Sequence, residues 1–268
     1  MTLYRRGKKM ETILEAKGVC KFFGGLKAVN QVDMQVAKGD IFGIIGPNGA
    51  GKTTFFNSCS GIYSPTKGKF YLNGEDISFM SSDQIARKGM ARTFQNIQLF
   101  KFMTVRENVK IGFHTRTKSG IMDAIFHSKR FKEDEKFVEE QVALVLEKVG
   151  LSDYADTMAG NLSYGIQRKV EIARALALNP EILLLDEPAA GMNPNETESL
   201  REFIIALNKS GYTIVVIEHD MKFIMNSCNR ILVLNFGEKI CEGGPKEVQE
   251  NKMVQEAYFG HGKLMGDM

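Results

Sequence analysis

Short apolar runs separated by turn residues open the chain. Residues 13–19, 31–36 and 40–45 alternate or run apolar, the pattern of β-strands. The third run ends in a glycine-rich turn and passes into a segment, Lys52–Cys59, that reads as a helix. Residues 69–72 read as another short strand, closed by the turn pair Asn73-Gly74. From about 105 to 149 the character changes to charged, helix-forming residues, with a charged run at 130–136. The helical character extends to about residue 179. Residues 182–185 are continuously apolar, as a strand buried on both faces of a parallel sheet requires. Residues 212–217 and 231–234 read as further strands with helices between them. Strands alternating with helices predict an α/β fold built on a parallel sheet.

Composition narrows the class without naming it. At 268 residues, 43% hydrophobic and 25% charged, the chain has the make-up of an ordinary globular protein. No stretch approaches the ~20 apolar residues that cross a bilayer, and no signal-peptide core follows the N-terminus. The expectation is a cytoplasmic chain whose membrane contact, if any, is peripheral. Cys20, Cys59, Cys228 and Cys241 are scattered without metal-ligand spacing. A net charge of +3 gives no argument for nucleic acid. The basic cluster Arg5, Arg6, Lys8, Lys9 reads as a solvated tail, with Met10 as an alternative start.

The chemistry concentrates at strand ends. Gly46-Pro47-Asn48-Gly49-Ala50-Gly51-Lys52-Thr53 fits the phosphate-binding loop pattern and lies between a strand and a helix. Its glycines let backbone N–H groups turn inward around phosphate oxygens, and the helix N-terminus adds its positive dipole. Lys52 is placed to reach the β- and γ-phosphates, and the Thr53 hydroxyl to ligate Mg²⁺. The strand at 182–185 runs into Asp186 and Glu187. Alone, such an ending is as often a mere polar strand end. Behind a phosphate loop it assigns Asp186 to Mg²⁺ through water and Glu187 to the attacking water, a general-base role worth about 10²–10⁴ in rate.

Three further elements are individually weak. Gln95, in Ala91-Arg92-Thr93-Phe94-Gln95-Asn96, follows a predicted strand and is placed to sense Mg²⁺ and the γ-phosphate. His219, in Val216-Ile217-Glu218-His219-Asp220, ends an apolar strand, as a γ-phosphate contact should. Asn161-Leu162-Ser163-Tyr164-Gly165 opens a helix with a hydroxyl and a glycine, a second anion-binding N-terminus. His114, His127 and His261 have no such context and read as structural or surface residues.

In this order the motifs resemble the ATP-binding cassette (ABC) family, over nearly the whole chain from about residue 13 to 258. The loop at 46–53 matches Walker A, Gln95 the Q-loop, residues 162–165 the signature, 182–187 Walker B, and His219 the switch histidine. The resemblance implies a P-loop cassette: a mostly parallel core sheet, an antiparallel β subdomain and a helical subdomain at about 97–179. The cassette would span 13–260, flanked by tails at 1–12 and 261–268. It also implies that Phe23, in Lys21-Phe22-Phe23-Gly24, stacks on adenine. ATP would then be held by Gly46, Pro47, Asn48, Gly49, Ala50, Gly51, Lys52, Thr53 and Thr54, and capped by Ser163 and Gly165 of a facing cassette. Lys52, Gln95, Glu187 and His219 would serve hydrolysis, and Thr53, Gln95 and Asp186 the metal.

Departures from the family pattern narrow the branch. Tyr164 replaces the signature's usual first glycine, Ile166 its usual glutamine, and Asn193 a usual aspartate after Walker B. With the Glu107-Asn108-Val109 helix and the long helical insertion, these look like the longer ATPase subunit of branched-chain amino acid importers. That resemblance implies a second ATPase subunit, or a second copy, as cassette partner. It further implies membrane permease subunits, a substrate-binding protein outside the membrane, and a peripheral place on the cytoplasmic membrane face. Leu99, Phe100, Phe102 and Met103 are candidate permease contacts, with core packing as the alternative for each. A motor for another importer (urea or amide) or a lipopolysaccharide exporter shares the same catalytic motifs. A soluble cassette of translation or repair lacks support, because neither tandem cassettes nor a heptad coiled coil is present.

Overall fold

The computed structural model describes residues 4–5, 8–9, 11–114, 116, 123, 126 and 128–259. Two-residue strands β1 (Tyr4–Arg5) and β2 (Lys8–Lys9) pair antiparallel ahead of a long hairpin. That hairpin joins β3 (Thr12–Phe23) to β4 (Leu26–Ala37). With β6 (Lys67–Leu72) and β7 (Glu75–Asp76) it forms an antiparallel sheet of order β4-β3-β6-β7. Both hairpin strands run further than their alternating cores at 13–19 and 31–36. The outer parts, residues 20–23 and 26–30, are largely half-exposed and hold apolar residues without strict alternation, so backbone pairing continues there without the two-residue pattern to announce it.

The second sheet holds the site. Its strands are β5 (Ile41–Ile45), β8 (Met90–Arg92), β9 (Ile182–Asp186), β10 (Thr213–Ile217), β11 (Arg230–Asn235) and β12 (Glu238–Gly243). Their order is β12-β11-β5-β10-β9-β8, parallel throughout except for β12. Every residue of β5, β9 and β10 is buried. Side chains alternate between two cores, as the two-residue period of a strand demands. Ile45, Leu183, Leu185, Ile214, Val216 and Val233 face one core with the helices. Phe42, Ile44, Leu184, Val215, Ile217 and Leu232 face the other, against the antiparallel sheet.

Helix α1 (Lys52–Cys59) packs in that second core through Phe55, Phe56 and Cys59. α2 (Ser82–Arg87) starts in a capping box between Ser81 and Gln84. α3 (Val105–Ile111), α4 (Lys129–Lys148) and α5 (Tyr164–Leu176) occupy the helical stretch read from the sequence, and its charged run at 130–136 lies within α4. α6 (Pro194–Lys209) is capped by Asn193, whose Oδ1 accepts from Asn195 N and Glu196 N, both at 3.0 Å. The asparagine at this position therefore does an aspartate's capping work. α7 (Met221–Ser227), α8 (Pro245–Glu250) and α9 (Lys252–Phe259) follow among the described residues.

Two elements depart from the sequence reading. Arg5, Lys8 and Lys9, read as tail, lie in the β1–β2 pair. Strand β12 carried no apolar signal, because it is an edge strand with only Gly243 buried. It forms through the Phe236-Gly237 turn, where both residues have positive φ (48° and 81°), the geometry a two-residue hairpin favours. His127, His261 and the segment 261–268 lie outside the described residues.

A buried asparagine shapes the loop before α3. Asn108 Oδ1 accepts from Phe100 N at 2.9 Å, and its amide group faces the carbonyls of Phe100, Thr104 and Met103 at 3.0, 3.0 and 3.3 Å. The Thr104–Glu107 capping box starts the helix beside it. Asn108→Ala leaves the Phe100 N–H without its acceptor, while the three carbonyls keep backbone donors in Met103, Asn108 and Ala159, a loss of about 1–3 kcal/mol. Chemical denaturation should show that loss, with proteolysis first at residues 100–104; unchanged stability would contradict the assignment.

Candidate functional site

The phosphate loop follows β5 and is fixed by backbone on two sides. A Cβ at Gly46 would lie 2.2 Å from Leu234 O, and one at Gly51 would lie 2.3 Å from Ala28 O. Both residues also have positive φ, 154° and 95°, so glycine is required at each. The Phe236-Gly237 turn clamps the loop further: Gly237 N donates to Ala50 O at 3.0 Å, and Asn30 N donates to Gly237 O at 2.8 Å. Lys52 is buried, with Nζ donating to Gly46 O at 2.7 Å and Pro47 O at 3.0 Å. Burial pushes its ammonium below the ordinary lysine value, and Glu187 pulls the other way. Thr53 follows on the exposed side of the first turn of α1, and Thr54 is half-buried behind it.

Carboxylates line the ends of β9 and β10. Asp186 closes β9 and is buried, its Oδ2 accepting from Arg92 Nη2 at 2.6 Å. Arg92, at the end of β8, also donates to Ser60 Oγ at 2.5 Å and lies over the rings of Phe56 (5.0 Å) and Phe94 (5.4 Å). Glu187 has φ +43°, a left-handed conformation uncommon for a glutamate. Its backbone is pinned there by Glu187 N donating to Ile217 O at 2.9 Å, across to β10. Strain of this kind collects where geometry serves a task.

Gln95 and His219 join this group from neighbouring strands. Gln95 Nε2 donates to Glu187 Oε2 at 2.8 Å. His219 follows β10, with an exposed imidazole whose Nδ1 lies 3.7 Å from Glu218 Oε2. Glu218 is buried: Oε1 accepts from Ala189 N at 2.7 Å and Oε2 from His219 N at 3.2 Å. Burial raises its carboxyl above the ordinary range. Lys52, His219, Asp186–Glu187 and Gln95 thus follow the ends of β5, β10, β9 and β8, four strands adjacent in that order. Ligands collect at this edge of an open parallel sheet.

The other named residues lie elsewhere. Phe23 is half-exposed near the hairpin tip, edge-on to Tyr63 at 5.5 Å, with Lys21 Nζ 5.2 Å from its ring. Ser163 is the exposed N-cap of α5, and its hydroxyl makes no capping bond. Gly165 sits against Glu196, and the Tyr164 ring lies beside Gly191, both in the stretch running from β9 into α6. Among the described residues no hydrogen bond links Ser163 or Gly165 to the phosphate loop. Of the apolar quartet, Phe100 and Phe102 are exposed, Phe102 at 96%, whereas Leu99 packs on the helical core and Met103 is half-buried.

Arg92, Glu218 and the buried pair Arg168–Glu171 were not picked out from the sequence. Arg92 and Glu218 adjoin motif residues and could have been found as charges directly after apolar strands. Arg168 and Glu171 could have been found as opposite charges three apart on the apolar face of a helix.

The residues fit a magnesium nucleotide. Mg²⁺ keeps several waters and uses one or two protein oxygens together with substrate phosphates. Asp186 is a buried carboxylate with one oxygen engaged by Arg92, and Thr53 stands one residue beyond Lys52. No cluster of three or more His, Cys, Asp or Glu that could hold a metal alone occurs among the described residues.

Comparison with known proteins agrees with this geometry. A family model described as ABC transporter matches residues 29–190. The high-affinity branched-chain amino acid transport ATP-binding protein BraF of Pseudomonas aeruginosa is 44% identical, covering 92% of this chain and 98% of its own length. The LivG protein of Escherichia coli, similarly named, is 43% identical over 93% of this chain and 98% of its own. Among solved structures, the ADP conformation of an ABC transporter cassette superposes with a TM-score of 0.81 at 34% identity, covering 93% of this chain and 99% of that one. A nucleotide-free cassette gives a TM-score of 0.80 at 33% identity, with the same coverage. No helix among the described residues is long and apolar enough to cross a membrane. On its motifs, its fold and these matches, the chain belongs to the ABC transporter family as an ATP-binding and ATP-hydrolysing cassette.

Proposed function

We propose that this chain energises import of branched-chain amino acids by binding and hydrolysing ATP on behalf of a membrane permease. The observation that carries the ATPase part is the convergence of Lys52, Asp186, Glu187, Gln95 and His219 at one sheet edge. The substrate class rests on relatives named for branched-chain amino acid transport that align over more than nine-tenths of the chain. Motors of urea or amide importers and of lipopolysaccharide exporters remain the alternatives, since substrate choice lies in the permease and binding protein.

The roles follow from chemistry and position. The backbone N–H groups of residues 46–54, Pro47 excepted, and Lys52 hold the phosphates, while Phe23 offers its exposed face to adenine. Thr53 would hold Mg²⁺ directly and Asp186 through water, with Gln95 beside them; the metal would supply charge neutralisation on the phosphates. Glu187 takes a proton from water as its oxygen attacks the γ-phosphorus, and the bond to the ADP oxygen breaks. His219 is placed to hold the γ-phosphate. Positioning and charge stabilisation of this kind supply most of the catalysis in phosphoryl transfer.

Ser163 and Gly165, set apart from the chain's own loop, would cap the nucleotide of a facing cassette. That partner is a second, shorter ATPase subunit or another copy of this chain. The helical segment at about 97–179, with exposed Phe100 and Phe102, would take the permease contact. This gives the chain a peripheral place on the cytoplasmic membrane face, within a system that includes a substrate-binding protein outside it.

Three variants test these roles. Glu187→Gln removes the base and a negative charge beside the phosphates, so ATP binding should persist, turnover nearly vanish and an ATP-bound dimer accumulate. Near-native hydrolysis would overturn the base assignment. Phe23→Ala should weaken ATP binding by about 0.5–1.5 kcal/mol, the scale of one stacking contact, with little change in Tm; unchanged affinity by titration would remove adenine from that ring. Ser163→Arg should leave ATP binding at its own loop intact and impair the partner's site in a mixed dimer. A site-resolved defect confined to the mutated chain would mean that the signature acts within one chain.

A further inference from the structure

Arg168 is the largest side chain with no solvent exposure, and it stands on the signature helix α5, not in the catalytic group. Two of its hydrogen bonds leave that helix. Nη2 donates to Gln95 O at 2.7 Å and Nη1 donates to Phe94 O at 2.7 Å, so the guanidinium fork grips two successive carbonyls. Nη1 also donates to Glu171 Oε2 at 2.7 Å, and Glu171 Oε1 accepts from Gln98 N at 3.4 Å. The pair therefore holds residues 94–98 at three backbone points. The planar arginine fork suits this work, because it sets direction as well as distance.

The grip lies one residue-length from the chemistry. The Gln95 carbonyl is held by Arg168, while the Gln95 side chain donates to Glu187 Oε2 at 2.8 Å. Residues 93–104 contain no strand or helix, so little else in the local backbone fixes where Gln95 points. Thr93 N donates to Leu184 O at 2.9 Å and is the last anchor to the sheet before it.

We propose that Arg168 is a positioning residue for hydrolysis: by clamping the Phe94 and Gln95 carbonyls to the signature helix, it aims the Gln95 amide at Glu187 and the γ-phosphate. The same clamp makes Gln95 and the N-terminus of α5, with Ser163 and Gly165, move as one piece. Gln95 reaches the chain's own nucleotide while Ser163 caps its partner's, so one rigid link would serve both composite sites. The proposal rests on the role given to Gln95 above.

A mutant cycle on the full-length protein tests it, with ATP hydrolysis and hydrogen exchange as readouts. Arg168→Met removes both carbonyl contacts. Because it also leaves Glu171 buried without its partner, Arg168→Met/Glu171→Leu is made alongside; replacing both members of a buried ion pair with apolar residues is often neutral for stability. At unchanged Tm, kcat should fall about ten- to hundredfold, the scale of a small misplacement in a reacting group. KM for ATP should stay within about twofold, since the phosphate loop is untouched. Amide exchange should rise at residues 94–98 and not at 46–53. On a Gln95→Ala background the same substitutions should cost less than about twofold more, because residues acting as a unit are not additive.

A folded Arg168→Met/Glu171→Leu protein with native kcat would overturn the clamp. So would a loss of equal size on both backgrounds, which leaves the role of Gln95 standing. A native rate in Gln95→Ala alone would overturn that role, and the clamp with it.

Discussion

Burial of both faces of the parallel sheet is the constraint on which the rest of the structure depends. A strand with every residue buried, such as β5 or β9, needs an apolar partner above and below. The antiparallel sheet and α1 cover one face, and α5, α6 and α7 help to cover the other. With its faces closed, the sheet can offer polar chemistry only at its edges and strand ends. Parallel strands all end on the same side. Polar residues placed just after each apolar run therefore meet, although as many as 167 positions separate Lys52 from His219 in the chain.

Geometry at this edge is held by backbone more than by side chains. Gly46 and Gly51 admit carbonyls too close for any Cβ, and the Phe236-Gly237 turn ties the loop to β4. Glu187 is kept in a left-handed conformation by its hydrogen bond to β10. Charges then act in pairs: Arg92 compensates buried Asp186, and buried Glu218 joins the segment after β9 to the backbone of His219. A buried charge left without such compensation would destabilise the fold by several kcal/mol.

The helical stretch has a different balance. Asn108 and the Arg168–Glu171 pair fix its loops from inside, while Phe100 and Phe102 stay in water. A loop held rigid from within and apolar on its outer side is suited to contact a partner surface. Tyr164, which departs from the family's usual glycine, lies against Gly191 with Arg168 5.9 Å from its ring. The departure thus places an exposed ring beside the segment leading to α6.

Local pattern made much of this legible. The helix Lys52–Cys59 is observed with the bounds read from the sequence, and the strands read at 40–45, 182–185, 212–217 and 231–234 differ by one residue at their ends. Glycine spacing, the Asp186-Glu187 strand end and the terminal positions of Gln95 and His219 named the chemistry without coordinates. Strand β12 and the outer parts of β3 and β4 were not legible, because edge pairing needs backbone partners and no apolar alternation. Arg92, Arg168 and Glu218 stand out in sequence as charges beside apolar residues, but what buries and holds them is not legible there, for a related reason. A charged residue reveals that it is buried only when its partner is known, and those partners lie 94, 73 and 29 positions away. By itself the sequence determined which residues stand at the strand ends and what each can do. Only the tertiary structure decided the neighbour order β5-β10-β9-β8 that brings them together, because strand order is set by long-range packing of both sheet faces, which no local window of sequence contains.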